Sequence, residues 1–241
     1  MKNDCVKIAL WSGPRSISTA LMYSFANRSD TAVVDEPLFG YFLKQTGVWR
    51  PSREEVLATM ETDPQKVIHS LLEPSTDLSV YFMKHMANHL IDLDLAFLDR
   101  FKNVILIRDP KDVLLSYSKQ VEEPTLLDTA YEMQADLIDH FEAAGTPFTV
   151  LNAKNVLLNP EGQLRELCDR LNIPFQSSML NWDTGPREED GVWAKYWYES
   201  VHKSTGFGSY REKSEELPSN LDSLYDECVE YYGKLERLQL N

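Results

Sequence analysis

What most limits the folding of this chain is a series of five short apolar runs, each followed by a helical segment. The runs are Val6–Trp11, Thr31–Pro37, Leu78–Lys84, Asn103–Pro110 and the stretch PFTVLN ending at Asn152. Each is too short for a helix core, and most are apolar throughout instead of alternating. That is the signature of strands covered on both faces. Strands alternating with helices predict an α/β fold, with a central, mainly parallel sheet and helices on both faces. The intervening segments read as helices at residues 16–27, over most of 39–73, from Pro110 onward, over 126–144, over 160–173 and over 221–238. Asp63 and Asp109 stand where N-caps belong, each followed by a proline at the first helical position. There is no internal repeat and no linker rich in Gly, Pro and Ser, so residues 1–241 are expected to form a single domain.

In sheets of this kind, ligands bind outside the carboxyl ends of the strands. The charged residues of interest fall at those ends. Arg15 follows the first run, Asp35 and Glu36 end the second, Lys84 and His85 the third, and Arg108 the fourth. The net charge of −14 argues against a nucleic-acid partner, which would need a basic face. It leaves room for a small anion, because 24 Lys and Arg residues can still be concentrated at one pocket. Cys5, Cys168 and Cys228 have no metal-binding spacing, so no metal site is expected and the thiols read as reduced, in a cytoplasm. Cys168 fits an apolar helix face better than a nucleophile's position. The first residues show no apolar run long enough for a signal peptide, and no window approaches a membrane span, so no membrane partner is expected.

Two stretches carry the chemistry. In IALWSGPRSISTALMYSFANR (Ile8–Arg28) an apolar strand breaks at Ser12-Gly13-Pro14, presents Arg15 and enters a helix through Ser16, Ile17, Ser18 and Thr19. Backbone N–H groups at a helix start form an anion site reinforced by the helix dipole. Arg15 adds a charged fork, and Ser16, Ser18 and Thr19 add hydroxyl donors. The plain alternative is that these residues cap the helix while Arg15 is solvated. The loop lacks the lysine of nucleoside triphosphatases, which argues against triphosphate hydrolysis. In NVILIRDPKDVLLSYSKQ (Asn103–Gln120) Arg108 ends the strand and Ser116 follows eight residues later, two turns into a helix. Both could hold one phosphate over the strand end. The alternative is an Arg–Asp pair and a serine facing a neighbouring helix.

SGPRSISTAL resembles the 5′-phosphosulfate loop of sulfotransferases, in the arginine form of tyrosylprotein and some bacterial enzymes. NVILIRDPKDVLLSYSKQ resembles their 3′-phosphate motif, and LNAKNVLLNPEGQLRELCDRLNIPF a later strand–loop–helix segment. HKSTGFGSYRE is a weaker likeness to the loop that closes over the nucleotide. The resemblance implies a P-loop NTPase-like sheet and transfer of a sulfuryl group from 3′-phosphoadenosine 5′-phosphosulfate to a hydroxyl or amine of a small-molecule acceptor, without a metal. By carry-over, Gly13, Pro14, Arg15, Ser16, Ser18 and Thr19 would hold the 5′-phosphosulfate, and Arg108 and Ser116 the 3′-phosphate. Lys203, Ser204 and Thr205 would cover the nucleotide; the alternative for them is an ordinary surface turn. Glu36 takes the position of a general base and Lys84 that of a cation on the bridging oxygen.

His85 is a reserve base. Met86 stands where the cytosolic branch of the family has its histidine, and neighbouring side chains on a strand face opposite ways. His89 reads as structural, and Ile17 stands where the family loop usually has glycine. Trp193, Tyr196 and Trp197, at helical spacing, are expected on one packed helix face. Residues 39–75 match nothing in the family motifs and are expected to contribute to acceptor choice. The acidic surface and aromatic stretch permit a homodimer. The rival readings are a small-molecule or nucleotide kinase, which would need a loop lysine and a magnesium ligand, and a non-catalytic nucleotide-binding protein of the same fold.

Overall fold

The computed structural model describes residues 5–240. Its centre is one sheet of five strands: β1 (Val6–Ser12), β2 (Thr31–Asp35), β3 (Val80–Met86), β4 (Lys102–Ile107) and β5 (Phe148–Asn152). Their order is β2-β3-β1-β4-β5, and every neighbouring pair is parallel. Successive residues of each strand feed opposite cores. Ala9, Trp11, Met83, Ile105 and Val150 pack with Leu137, Ile138 and Phe141 of the helix Tyr131–Ala144 and with Cys228, Tyr232 and Leu235 of the helix Asp222–Glu236. Ile8, Leu10, Phe82, Val104, Leu106 and Leu151 pack the other way, against the helices Ser18–Ala26 and Pro160–Leu171. Each fully buried large side chain contributes about 1.5–3 kcal/mol of transfer free energy. Burial on both faces explains why the runs are apolar throughout. Cys168 lies in the second core, where burial pushes its thiol up to about 11.

A third, smaller cluster joins Phe39, Phe42, Leu43 and Val56 to Trp193, Ala194 and Tyr198. It sits over the carboxyl end of β2 and forms a wall above the sheet's ligand edge.

Three local expectations are corrected. The third strand runs Val80–Met86, not Leu78–Lys84, because Val80 is where the chain first meets both Val6 and Thr31. The helix expected over 126–144 is two helices, Leu126–Thr129 and Tyr131–Ala144, hinged at Ala130 with φ 66°. The loop after β1 packs into this break. A Cβ on Gly13 would sit 2.6 Å from the Thr129 carbonyl oxygen, so only glycine fits there. The aromatic stretch does not form one packed face either. It divides into the short helices Ala194–Trp197 and Glu199–His202, with Tyr196 47% exposed and Tyr198 buried.

Candidate active site

A cavity of about 490 Å³ opens at the carboxyl ends of β1, β2, β3 and β4. The loop after β1 forms its floor. Arg15 (φ 58°) and Ile17 (φ 65°) are both left-handed, a conformation that costs a β-branched residue roughly 1–2 kcal/mol. Glycine at position 17, the residue usual in the loop that this one resembles, would adopt it freely. The helix Ser18–Ala26 begins with no side-chain cap and no acidic residue in its first turn. Ser16 does not serve as one, since its Oγ donates back to the Gly13 carbonyl at 2.6 Å. First-turn N–H groups therefore face the cavity without a side-chain partner, a ready anion site.

Arg15 and Arg108 converge beside this helix start. Arg108 donates to the Arg15 carbonyl at 2.8 Å and pairs with Asp112 at 3.1 Å. Arg15 donates through Nε to Ser116 Oγ at 2.9 Å and through a terminal nitrogen to the Trp197 carbonyl at 3.4 Å. No carboxylate pairs with Arg15 among the described residues. Burial, and then the neighbouring Arg108 charge, lower its affinity for its proton. A half-buried cation left beside another cation is a site that favours an added anion. Ser116 reaches this group because Asp109 caps the helix Pro110–Tyr117, fixing which way that helix points.

Lys84 is 1% exposed and makes three hydrogen bonds: to Asp35 Oδ1 at 2.7 Å, to Glu36 Oε1 at 2.5 Å and to the Tyr198 hydroxyl at 2.7 Å. These use all three of its N–H bonds. The strand register makes the contact, since Asp35 lies beside Lys84 across β2 and β3. Tyr198 donates in turn to Asp35 Oδ2 at 2.7 Å and accepts from Trp193 Nε1 at 3.1 Å. Burial alone would lower the Lys84 pKa, but two carboxylates override it and hold the ammonium well above its ordinary value. One ammonium shared by two carboxylates does not fully offset the burial of Glu36. Desolvation, with Asp35 adding to it against the pull of Lys84, raises the Glu36 carboxyl above 4.5. Glu36 itself is left-handed (φ 44°), its N–H donating to the Lys84 carbonyl at 2.8 Å.

His85 points the other way. It pairs with Trp11 in the β1–β3 register and stacks on it, ring centroids 4.2 Å apart. It does not line the cavity, and burial together with Lys84 pushes its pKa down to about 3. His89 does line the cavity, stacked on Phe39 with centroids 5.0 Å apart.

The chain matches the model of one family, described as "Sulfotransferase domain", over residues 6–236. It belongs to the sulfotransferase domain family. Two Arabidopsis thaliana proteins, named branched-chain-amino-acid aminotransferase-like proteins 1 and 2, are 43% and 40% identical to it over 93% and 95% of this chain. The chain spans only 40% and 41% of their lengths. Among solved structures, it superposes on the sulfotransferase domain of the Synechococcus PCC 7002 olefin synthase with a TM-score of 0.56. That match is 16% identical and covers 97% of this chain and 96% of that one. The sulfotransferase domain of the curacin biosynthetic pathway gives 0.58 at 20% identity, over 95% and 98% of the two chains. These structures share the fold, a parallel α/β sheet.

In this sulfotransferase domain, Pro14, Arg15, Ser16, Ser18, Thr19, Glu36, Lys84, Arg108, Ser116 and Ser204 line one cavity, while Gly13 lies behind it against Thr129. Lys203 and Thr205 lie instead on an adjoining open cleft, shared with Pro160, Glu161 and Phe207, and Lys203 pairs with Glu199. Sequence reading did not find Tyr198, Asn88 or the Arg50–Asp128 ion pair. A tyrosine five residues after a tryptophan carries no motif. Arg50 and Asp128 are 78 residues apart and meet only in the fold.

Proposed function

We propose that this domain transfers a sulfuryl group from 3′-phosphoadenosine 5′-phosphosulfate to a hydroxyl, or an amine, of a small molecule. The observation that carries the reading is the uncapped start of the helix Ser18–Ala26 beside two converging arginines, one of which has no carboxylate partner. Such a group fits a doubly anionic ligand. Arg15, Ser18, Thr19 and the first-turn N–H groups would bind the phosphosulfate; Arg108 and Ser116 would bind the 3′-phosphate. The family match supports a nucleotide donor of this type. The aminotransferase likeness in the relatives' names belongs to chains of which this one matches about two-fifths, so the reading rests on this chain's own residues.

The donor, when bound, supplies an activated sulfuryl group whose transfer needs positioning and charge stabilisation more than covalent help. Arg15 and Lys84 provide that charge. Lys84 is saturated in this state, so serving an incoming oxygen requires it to give up one partner. Glu36, at the cavity edge, is the partner that can be given up, whereas Asp35 stays tied to Tyr198 and to the Gly191 N–H. Releasing Glu36 also frees its carboxylate to take the acceptor's proton. His85, stacked in the core, is not in reach of this chemistry.

Transfer of labelled sulfate from the donor to a panel of phenols, alcohols, hydroxy acids, sugars and amines tests the reading. Glu36→Gln is expected to keep adenosine 3′,5′-bisphosphate binding and to lose about 10²–10⁴ in transfer rate. Transfer should rise with pH as Glu36 deprotonates, the acidic limb lying above the range of an ordinary glutamate because burial raises this carboxyl. Unchanged transfer in Glu36→Gln would remove the base assignment.

A further inference from the structure

We infer that the half of the cavity beyond Glu36 is an acceptor site for a carboxylate-bearing molecule with an apolar body, its carboxylate held by Arg50. The inference rests on the sulfuryl-transfer reading to the extent that the donor occupies the Arg15–Arg108 half. What remains of the lining is chemically distinct. Phe39, Phe42 and Trp193 form an aromatic wall, with His89 stacked among them. Such a wall takes an apolar body and repels a polar one. Set into it are Arg50, Asn88 and Asp128.

Arg50 lies in the loop between the helices Phe39–Thr46 and Arg53–Thr59, and its side chain is only 15% exposed. Its head group is anchored from two sides. It donates to the Trp49 carbonyl at 2.9 Å and pairs with Asp128. Asp128 is itself fixed, because its other oxygen closes a capping box with Thr125. These partners take two of the five N–H bonds of a guanidinium. The group is thus pre-positioned while still lining the cavity, and a planar guanidinium matches a carboxylate better than any other side chain does.

Two more groups want a ligand. Asn88 donates through Nδ2 to the Leu127 carbonyl at 3.1 Å, but its Oδ1 is buried with no partner among the described residues. His89 Nδ1 is in the same condition. Both residues are more than nine-tenths buried, and both line the cavity. The site therefore offers the unused N–H bonds of a fixed guanidinium, whose charge Asp128 shares, and an acceptor oxygen for an O–H or N–H. Arg50 and Glu36 line the same cavity. One small molecule can thus place its carboxylate at Arg50 and its reacting hydroxyl at Glu36.

The test is binding of matched pairs to the full chain, read by calorimetry with adenosine 3′,5′-bisphosphate present. The probes are 4-hydroxyphenylacetate, 2-hydroxy-4-methylpentanoate and 3-hydroxyoctanoate, each against its primary amide. At least one acid should bind about tenfold or more tightly than its amide. Arg50→Gln should abolish that preference without changing bisphosphate affinity, and Arg50→Lys should keep part of it. If no acid is preferred, or if the preference survives Arg50→Gln, the inference is overturned. Should Arg50→Gln fail to fold, the wild-type acid–amide comparison and Arg50→Lys still decide. Failure of the bisphosphate itself to bind would overturn the donor reading instead; the same comparison on donor-free protein would then judge Arg50 alone.

Discussion

The two halves of the cavity are built by different means. The half proposed for the donor is made by local chain geometry: a strand end, a left-handed loop, an uncapped helix start and a serine two turns into a capped helix. The half proposed for the acceptor is assembled from four separate regions, with Phe39 and Arg50 from one, Asn88 and His89 from another, and Asp128 and Trp193 from two more. Local geometry restricts residue type at each position, whereas the assembled wall needs only shape and charge in sum. The first kind of site leaves a motif in sequence; the second does not. Lys84 and Glu36 sit at the seam.

This contrast can be broken by substitution. The largest expected effect on stability is at the seam. Lys84→Met leaves Asp35 and Glu36 buried without their cation and is expected to cost about 3–5 kcal/mol in chemical denaturation. A loss under about 1 kcal/mol would mean that the cluster is not held by charge. In the donor half, Arg108→Ala is expected to weaken bisphosphate binding by roughly 10–150-fold while leaving the acid–amide preference intact. Equal loss of both would show that the halves are not separate. Smallest is His85→Phe. It keeps the stack on Trp11 and removes two ring nitrogens that have no hydrogen-bond partner among the described residues.

The sign of its pH effect follows from linkage. With a folded pKa near 3 against 6.5 unfolded, His85 binds fewer protons in the folded chain between those values. It therefore subtracts stability as pH falls through that window. His85→Phe should flatten part of the acid-side decline in melting temperature and leave sulfuryl transfer unchanged. Lost transfer would return His85 to the chemistry.

Much of the fold was legible because strand periodicity and helix caps are local signals. Asp63 and Asp109 accept from the first-turn N–H groups as their spacing suggests. The break at Ala130 was not legible: it packs against Gly13, over a hundred residues away in the chain, and leaves no local signal. The same holds for the aromatic stretch. Helical spacing grouped Trp193, Tyr196 and Trp197, but the segment divides into two short helices at Tyr198, whose hydroxyl is tied to Lys84 and Asp35 from distant strands. In the site, the positions of Arg15, Arg108, Glu36 and Lys84 could be read from strand ends, and that of Ser116 from its spacing to Arg108. The opposite facing of His85 followed from strand alternation, and the register with Trp11 supplies its partner. Arg50 lay in a segment without motifs, and only its tertiary pairing with Asp128 marks it.

The most direct measurement is calorimetric titration of the wild-type chain with adenosine 3′,5′-bisphosphate, and separately with ATP plus magnesium. Saturable one-to-one binding of the bisphosphate, lost in Arg15→Ala and much weaker for ATP with magnesium, is the expected result. Binding of ATP with magnesium but not of the bisphosphate would contradict the account.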